Sequence, residues 1–63
     1  MIKVTVELPP DEAWASAQLT KRIGYDDCQR LSDRHDGGAE CLAMLASIDK
    51  LRRALCAAGV APR

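Results

Sequence analysis

Residues 1–14 read MIKVTVELPPDEAW, and the first half of that stretch decides the fold. Ile2, Val4, Val6 and Leu8 alternate with Lys3, Thr5 and Glu7. A period of two, apolar on one side and polar on the other, belongs to a half-buried β-strand. Pro9 and Pro10 close it. No other stretch of the chain has this pattern, so the strand is alone. A lone strand leaves its N–H and C=O groups without partners. Two arrangements meet that need. One is an antiparallel pair between two copies, a homodimer through residues 2–8 in which Lys3 of one chain lies near Glu7 of the other. The second is a strand laid along the C-terminal helix, its free edge kept for a target.

Downstream the period changes. Pro10, Asp11 and Glu12 suit a helix N-terminus, where proline needs no donor and carboxylates meet the positive end of the dipole. The first helix is predicted from about residue 10 to residue 23. Lys21 and Arg22 fall in its last turn, and Gly24 is placed to cap it in a left-handed conformation. Ala13, Ala15, Ser16, Leu19, Thr20 and Ile23 share its broad inner face, whose small residues permit a close approach. Asp26 or Asp27 can N-cap a second, short helix with Cys28 and Leu31 inward. Residues 32–38 read as a polar turn centred on Gly37 and Gly38. The last helix, about residues 39–58, carries a stripe of Cys41, Met44, Leu45, Ile48, Leu51 and Leu55. Glu40 lies in its first turn, Gly59 is placed to cap its end, and Val60 can fold back against it. The expected fold is a single small domain over residues 1–63, mainly α. It has one N-terminal strand and two or three helices, the C-terminal one longest. Leu45, Ile48, Leu51 and Leu55 pack with Val4, Val6, Leu19 and Ile23.

Sixty-three residues leave little room for a catalytic cleft. No nucleophile, base and orienter stand in a plausible arrangement, and no Gly-rich phosphate loop is present. The chain reads as a non-enzyme with no cofactor. Cys28, His35 and Cys41 do not match a zinc-site spacing, so no metal is assigned. An odd count of three cysteines suggests reduced thiols and a cytoplasmic setting. Neither a signal peptide nor a membrane-spanning run is visible. Nine basic and nine acidic residues balance, which argues against direct DNA binding. The charge is uneven along the chain. Residues 1–40 hold eight acids and five bases; residues 41–63 hold one acid and four bases.

The acids Asp11, Glu12, Asp26, Asp27, Asp33 and Asp36 form groups that either mimic phosphates to a partner or mark helix starts. Trp14, the one tryptophan, is a candidate interface anchor or a lid on a small core. Arg52, within the apolar stripe, either lays its stem on the core or pairs with an acid of a partner.

Two resemblances bear on function. Residues 3–31, KVTVELPPDEAWASAQLTKRIGYDDCQRL, resemble the start of a ribbon-helix-helix protein. That likeness implies a dimeric DNA-binding regulator whose Lys3, Thr5 and Glu7 face the major groove. The stretches VELPPDEAWASAQLTKRIGYDD and IDKLRRALCAAGVAPR are similar to short bacteriophage and prophage proteins of unassigned activity. This second likeness implies a phage protein in a bacterial cytoplasm. Size and lack of catalytic groups then suggest a stoichiometric inhibitor of a bacterial defence complex. An anti-CRISPR protein that occupies the nucleic-acid surface of a CRISPR–Cas effector is the expected form. Reading the ribbon-helix-helix start as a DNA-binding regulator is the alternative.

Overall fold

A computed structural model describes residues 1–33 and 37–61. Three helices follow one another: α1 (Pro10–Arg22), α2 (Tyr25–Leu31) and α3 (Ala39–Ala57). The chain is mainly α, as its periodicity indicates. The N-terminal strand is not formed: among the described residues there is no strand. Residues 2–8 are exposed and make no hydrogen bond among the described residues. The reason is non-local. A ladder needs a second edge, and one copy of this sequence supplies none. The segment instead borders a cleft together with α1 and the C-terminal half of α3. The ribbon-helix-helix likeness thus lacks its ribbon in the single chain.

The helices begin and end by local chemistry. Pro10 occupies the first turn of α1, Asp11 and Glu12 follow it, and Lys21 and Arg22 close the helix. Gly24 does not cap α1. Its φ of −120° and ψ of −171° are extended, and it serves as the N-cap of α2. With only residues 23 and 24 between the two helices, Gly24 must begin the second, and an N-cap takes extended backbone. Nor do Asp26 and Asp27 occupy that cap position. Asp27 stands at the third helical position, where its carboxylate accepts from the Gly24 N–H at 3.1 Å. It also pairs with Arg30 at 3.2 Å.

At the start of α3 Gly37 and Gly38 both have positive φ, 70° and 89°, which side chains rarely tolerate. Glu40 in the first turn accepts the Asp33 N–H at 2.9 Å, which ties the preceding loop to α3. The far end is a Schellman motif. The Gly59 N–H donates to the Cys56 carbonyl at 3.0 Å and the Val60 N–H to the Leu55 carbonyl at 2.8 Å. Gly59, at φ 89°, fills the left-handed position.

Both α1 and α2 pack on α3. Among the described residues the fully buried set is small: Ala17, Cys28 and Cys41, with Thr20 nearly so. The Thr20 hydroxyl donates to the Ala17 carbonyl at 3.0 Å, which removes its need for water. The Cys41 thiol reaches the Tyr25 carbonyl at 3.9 Å and so links α3 to α2. The core is therefore not the aliphatic cluster expected. Leu19 and Leu51 are 59% and 58% exposed, and Val4, Val6 and Leu31 also face outward. Small side chains set the inner face of α1, centred on Ala17 rather than on Leu19. Ile23, Leu45, Ile48 and Leu55 of the expected cluster are half-buried, while alanine, cysteine and threonine fill the fully buried positions.

The result is a thin molecule, 37 × 27 × 15 Å, with a Cα radius of gyration of 12.8 Å. A compact domain of this length has a radius near about 10.6 Å. Domains usually close a core between two layers; this chain provides hardly more than one.

Candidate interaction surface

The helix α3 organises the surface. Glu40, Met44 and Ser47 border one apolar groove, Leu51, Ala54 and Ala58 the other. At 100° per residue these six positions fall within an arc of about 80°, so one face of α3 lines both. That face runs about 27 Å. Its deeper edge, at Cys41 and Leu45, turns to the other helices, and Cys41 is buried.

The first groove lies between α2 and α3, has a volume of about 370 Å³, and is walled by Ile23, Cys28, Leu31 and Ile48. The second is a larger cleft of about 620 Å³. Val4, Val6 and Leu8 line it from the N-terminal segment, Leu19 from α1, and Leu51 and Leu55 from α3. Ser16, Thr20, Ala54 and Ala58 give it a small-residue lining. The stripe read from the sequence contains Met44 and Leu51 but misses the alanines of α3. They carry little hydropathy; their lack of bulk is the signal that a cleft runs beside them.

The sequence-selected residues do not gather at one place. Lys3, Thr5 and Glu7 are exposed on the extended segment. Asp11 and Glu12 lie in the first turn of α1, Asp26 and Asp27 in the first turn of α2. Asp33 lies at the entry to the loop before α3, where its N–H is held by Glu40. Asp36 and His35 lie outside the described residues. Trp14 is 41% exposed on α1. Arg52 pairs with Asp49 of its own helix at 2.8 Å, and Arg53 takes the other oxygen of the same carboxylate at 2.8 Å. That local fork accounts for Arg52 without an acid from outside. Asp26 differs from Asp27: it is exposed and holds no hydrogen bond or ion pair among the described residues.

The three cysteines are free thiols, Cys28 and Cys41 buried and Cys56 exposed. Among the described residues no three His, Cys, Asp or Glu side chains converge on one point. No helix among them is long and apolar enough to cross a membrane.

Residues 1–63 match one protein family along their whole length, described as Family of unknown function (DUF7706). Neither a curated protein nor a solved structure matches the chain.

Proposed function

We propose, from the premise that the chain belongs to DUF7706 and that this family carries no assigned activity, that it works by binding other proteins. One observation carries the reading. Leu19 and Leu51, on the larger cleft, and Leu31, on the smaller groove, are each more than half exposed on a chain of only 63 residues. Large apolar side chains left together in water mark a surface that another molecule covers. A flat chain with a small core has such a surface to offer.

The narrower form is inhibition of a bacterial defence complex, a CRISPR–Cas effector in particular. It rests on the resemblance of the sequence to short phage proteins, not on the fold. In that form the acids near α2 face a basic nucleic-acid channel of the target, and Trp14 anchors the contact. Asp26 is the informative acid, because its reversal leaves the capping of α2 to Asp27.

The test uses the tagged chain as bait in a bacterial lysate, with partners identified by mass spectrometry. The expected result is a partner captured at fixed stoichiometry and weakened by Asp26→Lys or Trp14→Ala while the helical circular dichroism signal stays. Added to a purified CRISPR–Cas effector at molar equivalence, the chain then blocks cleavage of target DNA. No stoichiometric partner in any lysate refutes the binding reading. Capture without inhibition of the effector refutes only the narrower form.

A further inference from the structure

We propose that the cleft between the N-terminal segment, α1 and α3 is closed by a second copy of the same chain in a symmetric homodimer. This deepens the reading above and rests on it: it names one partner of the exposed apolar surface.

Surface area is the first argument. The chain exposes 5207 Å². A compact monomer of 6.9 kDa exposes about 4,000 Å² by the scaling of surface with mass. The excess is about 1,200 Å² per chain. A stable interface covers about 800 Å² on each partner, so a single second copy is large enough to take it up. The thickness of 15 Å agrees, since a second copy laid on this face supplies the missing layer.

Shape is the second argument. The cleft is lined both by large side chains, Val4, Val6, Leu19, Leu51 and Leu55, and by small ones, Ser16, Ala54 and Ala58. Knobs and holes thus occur on the same surface. A twofold axis beside the cleft lets Leu19 and Leu51 of each copy enter the small-lined part of the other. That is the self-complementarity an isologous interface requires.

Charge is the third. Residues 1–40 carry a net −3 and residues 41–63 a net +3 at neutral pH, counted from their acids and bases. The whole chain is neutral, so two copies do not repel. The residues that line the cleft are uncharged, so closing it with a second copy buries no charge.

Light scattering on the full chain, from micromolar to millimolar concentration, tests this. The expected mass is twice 6.9 kDa, falling to one chain on dilution. Leu19→Asp and Leu51→Asp place a carboxylate in the interface and weaken association at least about tenfold. Both side chains are mostly exposed in the single chain, so its helices remain. Val4→Asp covers the case in which the leucine variants unfold. Val4 lies on a segment that no hydrogen bond ties to the helices among the described residues. Leu42→Asp, exposed but outside the cleft, leaves association as it was. A strict monomer at millimolar concentration overturns the proposal. So does a dimer that Val4→Asp, Leu19→Asp and Leu51→Asp all leave intact. A monomer that still captures a protein partner refutes the dimer alone. A dimer that captures nothing supports it and refutes the wider binding reading.

Discussion

Replacing Ala17 by leucine tests the packing directly. Ala17 is 0% exposed, and it lies on the face where α1 meets α3. Its nearest buried companion on that face, Thr20, is itself bound back to the Ala17 carbonyl. Three added carbon atoms therefore have nowhere to go unless α1 lifts away from α3. Overpacking of this kind costs about 1–3 kcal/mol. A domain of this length has a total stability of about 3–9 kcal/mol, so the loss is a sizeable part of it. At about 4–8 °C per kcal/mol for small domains, the melting temperature falls by some 4–24 °C. The same substitution at Ala15, exposed on the same helix, is the control and stays within about 0.5 kcal/mol. Helical circular dichroism followed through a thermal melt, at one fixed protein concentration, reads both. If Ala17→Leu melts within a degree or two of the parent, α1 does not approach α3 through its small residues. The whole account of the core then fails.

Two further predictions concern the ends of the chain and its thiols. Gly59→Ala puts a Cβ at φ 89° and strains the Schellman turn, costing about 1–2 kcal/mol; Ala46→Gly, exposed in the interior of α3, costs about 1 kcal/mol for a different reason, and urea melts separate both from the parent. A thiol reagent under native conditions modifies Cys56 at once, while Cys28 and Cys41 react only at the rate of unfolding; fast reaction of all three contradicts the burial of the core cysteines.

Much of the candidate surface was legible as parts but not as a surface. The stripe on the last helix contains Leu51 and Leu55, and the alternation of residues 2–8 names Val4 and Val6 as an apolar row. That these line one cleft depends on α1 setting Ser16 and Thr20 beside Ala54 and Ala58, which hydropathy does not signal. The acids were legible only as helix starts or as a binding group. Asp27 returns its carboxylate to Gly24, while Asp26 holds no such bond, and only coordinates distinguish two neighbours of the same type.

Helix boundaries lie almost wholly in the sequence. Pro10, the first-turn acids and Gly59 act within one turn of where they stand, and helix hydrogen bonds span four residues. Local chemistry is enough to place such ends, to within a residue at Arg22 and Ala57. Even so Gly24 changed its role, because the joint between α1 and α2 was too short for it to end one helix before starting the next. The fate of residues 2–8 was decided only in three dimensions. Their alternation specifies two faces, yet a strand exists only where another backbone meets its edge, and that partner is not encoded within seven residues. The inner face of α1 was settled the same way. Period alone admits either Leu19 or Ala17 as its centre. Tertiary packing chose Ala17, because helices crossing through small side chains bury Thr20, Cys28 and Cys41 and leave Leu19 and Leu51 mostly exposed.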